Sequence, residues 1–289
     1  MKDSLQRFLF EQLPVRGELL HLDATWQAVL ERHDYPAPLQ NVLGELMAAA
    51  GLLAAMLKFD GSIILQLHGG GPVTLIVVEC TSDHTLRATA KWTGDLNGND
   101  LRALLGDGRF AITLAPTKGG QTYQGVVDLT GGTVAACLEH YMRHSEQLET
   151  RLWLAADGGR AAGMLLQQLP GATDADPDGW NRVVHLAATL ARAELLDLTS
   201  ETLLHRLYHE EDVRLFESRP VSFRCSCSSQ RVVAMLRMLG HDEVRSIIDE
   251  HRTVDVTCEF CNKRYVFDSV DAEQVFAAEM LAAAGRTRH

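Results

Sequence analysis

Apolar and polar positions change rhythm several times along this chain, and each change marks an element. The opening residues read as a short helical start, and Val15-Arg16-Gly17-Glu18-Leu19-Leu20-His21-Leu22 reads as a strand. Ala24 to His33 predicts a helix ending before Asp34-Tyr35-Pro36. Leu39 to Leu57 has the length, the small residues and the lack of proline of a tightly packed helix, Ala-rich from Ala48 to Ala50, and predicts burial on more than one face. Three strands follow, Ser62 to His68, Val73 to Cys80 and Leu86 to Thr93, punctuated by Gly69-Gly70-Gly71-Pro72 and Ser82-Asp83. The first and third alternate and the second is more continuously apolar, which predicts antiparallel neighbours with a better covered central strand. Phe110 to Ala115 and Thr122 to Asp128 form a further pair, followed by a helix from Thr133 to His144 and strands from Thr150 to Ala156 and Gly163 to Leu169. Strands in runs, broken by a few helices, predict an α+β fold with a mostly antiparallel sheet and packed helices.

The rhythm then breaks at residues 170–179, where two prolines, two glycines and three aspartates fall within ten residues. Beyond the break, Trp180 to Leu196 reads as one helix with Trp180, Val183, Val184, Ala187, Leu190 and Ala191 on one face. A second helix spans Thr202 to Tyr208, with Ser200 as its N-cap. Two helical patterns, Gln230 to Leu239 and Asp242 to Glu250, join at Gly240, and the tail from Ala272 to Ala284 is helical and Ala-rich. These changes divide the chain into an N-terminal α+β core domain (1–171), a helical linker (172–222) and a small C-terminal domain (223–289).

Composition narrows the function classes. The 289 residues are 46% hydrophobic and 22% charged, as in ordinary globular proteins. No apolar run approaches the roughly 20 residues of a membrane-spanning helix, and the N-terminus lacks the basic flank and apolar stretch of a secretory signal. A soluble, intracellular protein with no membrane partner is expected. The net charge of −11 opposes binding that depends on phosphate neutralisation, and from Arg224 onward nine Lys/Arg face ten Asp/Glu, so no basic island offsets it. The Gly-rich stretches at 69–72 and 106–109 lack the Gly-Lys-Ser/Thr ending of a nucleotide loop and read as turns.

Six cysteines in a chain without an export signal read as reduced thiols or metal ligands. Cys80 and Cys137 sit in apolar patterns and read as small buried hydrophobes. The other four form two arms, Cys225-x-Cys227 and Cys258-x-x-Cys261, which match the ligand count of a tetrahedral all-sulfur zinc site. In a regular strand the first pair would stand about 6–7 Å apart, too far for one ion, so the backbone must bend there, and Ser226, Ser228 and Ser229 suit a turn. His241 and His251 lie inside the loop, but four sulfurs already complete the shell. A structural zinc site contributes on the order of 10–16 kcal/mol, and in a small module this is also folding free energy. Closing arms that lie 30 residues apart is by itself worth roughly 3–4 kcal/mol. Spacing alone leaves open whether such a clamp is a staple or a switch.

Two competing classes share these motifs. A thiol oxidoreductase would place Cys-x-x-Cys at a helix start in a βαβ setting, whereas here it follows Val254-Asp255-Val256. A structural zinc module in a nucleic-acid-binding protein would use Arg224, Arg231, Arg237 and Arg245, but the acidic balance opposes it. No enzymatic activity is expected, because a closed four-ligand site leaves no open position for a substrate.

The residues resemble a known family. Cys225-Ser226-Cys227-Ser228 followed by Arg231, then Leu239-Gly240, then Cys258-Glu259-Phe260-Cys261 with Tyr265 and Phe267, are similar to the heat shock protein 33 family of redox-regulated holdase chaperones. The likeness extends through Gly71-Pro72, Arg87-Ala88-Thr89-Ala90, Tyr123-Gln124-Gly125-Val126-Val127, Ser145-Glu146-Gln147 and the run from Gly163 to Pro170. Ala162 departs from it, where the family usually carries a second glycine. The resemblance implies a reduced, largely inactive monomer with one Zn2+ per chain, held by Cys225, Cys227, Cys258 and Cys261, which are also the redox sensors. It implies that oxidation forms the Cys225–Cys227 and Cys258–Cys261 disulfides, releases zinc and unfolds a metastable linker from about Trp180 to Ser222. Pairing within each arm leaves no covalent bond between the arms. It implies that Trp180, Val183, Val184, Leu190, Leu195 and Leu196 are core while reduced and client surface when released, that clients are unfolding proteins, that activation accompanies homodimer formation, and that the setting is cytoplasmic.

Overall fold

The computed structural model describes residues 3–58, 60–96, 98, 100–129, 131–170 and 176–286, with side chains described as far as residue 277. The chain divides into two compact units, Met1–Arg224 and Cys225–His289. The first unit runs β1 (Ser4–Phe10), β2 (Val15–Leu22), α1 (Ala24–Leu30), α2 (Ala37–Ala54), β3 (Gly61–Gly69), β4 (Val73–Thr81) and β5 (Thr85–Trp92). It continues with α3 (Leu101–Leu105), β6 (Gly108–Pro116), β7 (Tyr123–Asp128), α4 (Val134–His144), β8 (Thr150–Ala156) and β9 (Ala161–Gln168). It ends with α5 (Gly179–Ala187), α6 (Arg192–Asp197), α7 (Ser200–Tyr208), β10 (Val213–Leu215), β11 (Arg219–Pro220) and β12 (Ser222–Phe223).

Two six-stranded sheets organise this unit, one ordered β10-β1-β2-β9-β8 with β11 also on β1, the other β12-β5-β4-β3-β6-β7. Every pairing is antiparallel except β12 with β5. The α+β class and the mostly antiparallel sheet are therefore as expected. Helix α2 packs against strands of both sheets and is buried on more than one face, as its small residues predict. At Gly51 the approach is so close that a Cβ would lie 2.5 Å from Leu20 Cδ2. Gly17 is bare for a similar reason, since the Phe8 ring fills the space where its Cβ would stand.

The first sheet is covered on both faces. Leu5, Leu20, Leu22 and Leu165 join the large core around α2, while Phe8, Phe10, Leu19, Met164 and Leu166 form a second core beneath α5, α6 and α7. This double coverage explains why β2 and β9 are buried almost without alternation. Each large side chain so buried contributes about 1.5–3 kcal/mol.

Several expectations need correction. The opening residues form β1, not a helix; Leu5, Phe8 and Phe10 are its buried positions, and their spacing of three then two imitates a helical face. The single helix from Trp180 to Leu196 is two helices, broken at residues 188–191, where the Ala191 N–H donates to Glu194 Oε2 at 2.9 Å and Ala191 is exposed. Thr199, rather than Ser200, caps α7 by accepting from the Thr202 N–H, and Ser200 is buried. Strand β4 is central between β3 and β5, but its second face is only half-buried, so it is no better covered than β3. Helix α3, capped by Asp100, and the short strands β10 to β12 were not anticipated. The break expected over 170–179 falls partly on residues 171–175, outside the described residues; Asp176 follows, and its carboxylate and that of Glu211 both bind Arg182. Among the described residues no helix is long and apolar enough to cross a membrane.

Candidate metal centre

The second unit contains α8 (Ser229–Leu239), α9 (His241–His251), β13 (Val254–Thr257), β14 (Arg264–Phe267) and α10 (Ser269–Arg286). The expected tail helix over 272–284 falls within α10, with the side chains from 278 onward outside the described residues. Its two inner helices meet at Gly240, where φ of 93° needs a residue without a Cβ. Strands β13 and β14 form an antiparallel hairpin with Val256 opposite Tyr265 and Thr257 opposite Arg264. At its tip the Cys258 N–H donates to the Lys263 carbonyl and the Asn262 N–H donates to the Cys258 carbonyl, at 3.0 and 2.8 Å. Asn262 takes the left-handed conformation this turn demands, a conformation asparagine tolerates. The hairpin thus presents Cys258 and Cys261 from one tight turn.

The other pair sits on irregular backbone just before α8, in keeping with the bend that a shared ion requires. Ser228 fixes the exit of this segment by capping α8, its Oγ accepting from the Arg231 N–H at 3.2 Å. Arg231 reaches back, and its Nη1 donates to Ser226 Oγ at 2.6 Å, between the two cysteines.

All four Sγ atoms lie within 4.8 Å of one another, with Cys225 to Cys258 at 3.6 Å and Cys227 to Cys261 at 3.3 Å. In a tetrahedral thiolate shell with Zn–S of about 2.3 Å the sulfurs stand roughly 3.8 Å apart, so the donor set fits such an ion. Among the described residues these four form the one group of three or more potential ligands close enough to hold a metal. His241 instead lies beside Asp242 and Glu273 and edge-on to Phe276, and His251 lies beside Glu250. Cys80 and Cys137 are fully buried in the first unit, and burial pushes the Cys80 thiol up.

The thiols are not equivalent. Burial raises Cys227, but the Tyr265 hydroxyl, donating to its Sγ at 3.2 Å, and the neighbouring thiols outweigh burial and bring it down to about 7. Burial pushes Cys261 up to about 12 and also raises Cys225. Negative charge thus settles first on Cys227, and the raised Cys225 and Cys261 hold their protons more firmly, in keeping with the cost of like charges at this separation. A metal cation would displace those protons. Tyr265 was singled out only as part of a motif; its place opposite Val256, with its hydroxyl on Cys227, depends on the hairpin register, which spacing does not encode.

The linker residues are also placed. Val183, Leu195 and Leu196 are buried, and Trp180, Val184 and Leu190 are half-buried against the same second core. The Cys-x-x-Cys pair occupies a hairpin tip rather than a helix start.

A two-sheet α+β unit followed by a small unit with four convergent thiols defines a protein whose second unit is built to hold a soft metal ion. Residues 3–268 match the family model described as Hsp33 protein. The chain is 53% identical to the 33 kDa chaperonin of Methylobacillus flagellatus, over 100% of this chain and 99% of the relative. It is 54% identical to the 33 kDa chaperonin of Chromobacterium violaceum, over 99% and 98%. The fold also resembles the crystal structure of a 33 kDa chaperonin (heat shock protein 33 homolog) from Thermotoga maritima, with a TM-score of 0.84, 20% identity and coverage of 96% and 99%. The chain belongs to the Hsp33 family of chaperones. The cysteine cluster fits zinc binding and redox-active disulfides.

Proposed function

We propose that this chain is a redox-regulated holdase that binds unfolding proteins in the cytoplasm and prevents their aggregation under oxidative stress. The observation that carries the reading is the convergence of four Sγ atoms within 4.8 Å from two arms. When bound, Zn2+ supplies a cross-link between those arms and accounts for much of the small unit's stability. The thiolates are also the oxidisable groups. A thiolate attacks peroxide, forming a sulfenic acid and expelling hydroxide, and a second thiolate attacks that sulfur, forming a disulfide and expelling a second hydroxide. Two such reactions pair Cys225 with Cys227 and Cys258 with Cys261, consume two peroxides and leave no thiolate ligand set. The arms are then unconnected, and the unit unfolds.

The metastable linker over 172–222 responds because its C-terminal end is held to the sheets by the short strands β11 and β12, which immediately precede Cys225. Its release bares Trp180, Val183, Val184, Leu190, Leu195 and Leu196, and with them the sheet face of Phe8, Phe10, Leu19, Met164 and Leu166. Unfolding clients bind this apolar surface, and the exposed faces of two chains bring about dimerisation. The reduced chain is the inactive monomer. The chain performs no catalysis and binds no nucleic acid.

Light scattering of an aggregating client, measured before and after peroxide treatment at raised temperature together with zinc release, tests this. Suppression only after treatment, with loss of about one zinc per chain, is the expected result. Equal suppression in both states, or zinc retained after oxidation, overturns the switch.

A further inference from the structure

On the α2 face of the first sheet, past the C-terminal end of α2, lies a cleft of about 390 Å³ that the switch does not use. Three arginines line it, Arg7 from β1, Arg16 from β2 and Arg219 from β11, and Leu9 and Phe216 supply apolar wall. The charges do not balance. Among the described residues Glu18 is the one carboxylate these guanidiniums share from within; it is fully buried, 2.8 Å from Arg7 Nε and 3.9 Å from Arg219 Nη2, and its Oε2 has no hydrogen-bond partner there. Among the described residues the other polar contacts of the three are to neutral groups: Arg7 to the Ala55 carbonyl, Arg16 to Gln167 Oε1 and Met56 Sδ, Arg219 to the His84 ring. Burial and the nearby Arg7 charge both depress the Arg16 guanidinium, a sign of cations crowded against one another. Glu217 stands at the cleft and is exposed, so it screens poorly.

We propose that this cleft binds a small organic phosphate, with the oxyanion among Arg7, Arg16 and Arg219 and the organic group against Leu9 and Phe216. The Nη1 groups of Arg7 and Arg16, which make none of these contacts, and the Arg219 guanidinium offer charged N–H donors to an oxyanion, and the cleft's volume is that of a small-molecule site. Half of the site is the sheet and half is the segment Phe216–Arg219, six residues before the first cysteine arm. The site is complete only while that segment is docked, so a bound phosphate favours the docked state by mass action. This coupling rests on the switch described above; the binding itself does not.

Calorimetric titration of the reduced, metal-loaded full chain with phenyl phosphate and with inorganic phosphate at constant ionic strength tests the site. One phenyl phosphate per chain is expected, bound about tenfold more tightly than inorganic phosphate because of the apolar wall. Arg16→Gln and Arg219→Gln should each weaken it about tenfold or more, whereas Glu217→Gln, which removes a repelling charge on the surface, should tighten it severalfold and does not disturb the core. Hydrogen exchange of residues 213–223 should slow on adding phenyl phosphate. Absence of saturable binding, affinities unmoved by all three substitutions, or equal affinity for the two phosphates would overturn the proposal, whether or not the chain proves to be redox-switched.

Discussion

In the first unit, α2 lies between two six-stranded sheets, and Phe8, Leu19, Leu20, Trp26, Leu43 and Phe110 are wholly shielded from water. In the second unit, 65 residues long, the cluster is Val232, Leu236, Val244, Val254, Tyr265, Phe267, Ala272, Val275 and Phe276, and of these only Leu236 and Val244 fall to 1% exposure or less. A domain of that size rarely gains more than about 3–5 kcal/mol from its core alone. The difference is where the proposed redox signal can act: removing a metal clamp on the order of 10–16 kcal/mol takes away most of what holds the second unit and leaves the large core around α2 intact.

The comparison breaks most readily at the clamp. Cys258→Ser, or metal removal by a chelator, should cost the second unit on the order of 10 kcal/mol, and region-resolved hydrogen exchange should show protection lost over 229–267 while β2, β3 and β9 keep theirs. A second unit that stays protected without metal would contradict the ranking of the two cores. Next in size, Phe8→Ala should destabilise the first unit by about 3–5 kcal/mol, read by thermal unfolding. Leu236→Ala should cost the second unit about 2 kcal/mol or more, read as metal affinity weakened at least about tenfold, because its folding and metal binding are one event.

Smaller effects sharpen the picture. Tyr265→Phe removes the hydroxyl that donates to Cys227 Sγ; metal affinity should fall roughly tenfold, as for other groups that orient a ligand, and the Cys227 thiol should titrate above its value of about 7. A chelator competition and a thiol-alkylation pH profile measure the two. Least is the pH response of the linker's packing. His21 is buried beneath α6, and burial holds its pKa below the ordinary value, with the Leu195 carbonyl and Asp23 partly opposing. The folded chain therefore keeps it neutral while the unfolded chain takes up the proton, so stability should decline as pH falls below about 6.5. His21→Leu should flatten that decline in a series of melting curves.

The metal centre was far more legible in the sequence than the packing that surrounds it. Cys225, Cys227, Cys258 and Cys261 carry a local spacing that states a ligand set, and the bend their first pair requires follows from strand geometry alone. The central strands and α2 were legible because their apolar runs are long. Strand β1 was not, because its buried residues step by three before stepping by two. Strands β10, β11 and β12 are two or three residues long and exist only through partners about 140 to 210 positions away in the sequence, so no local pattern marks them. The arginine cleft was invisible for the same reason, since Arg7, Arg16 and Arg219 meet only through the pairing of β1 with β2 and β11.

The central claim is that oxidation at the four thiols frees the C-terminal segment of the first unit, from α5 to β12, while its long strands persist. Hydrogen exchange followed by region, on the reduced metal-loaded chain and on the same chain after peroxide at raised temperature, tests it most directly. The account predicts that protection over 179–223 and 229–267 collapses together while β3, β4, β6 and β9 remain protected. Protection of 179–223 that is unchanged after both arms have been oxidised would contradict it.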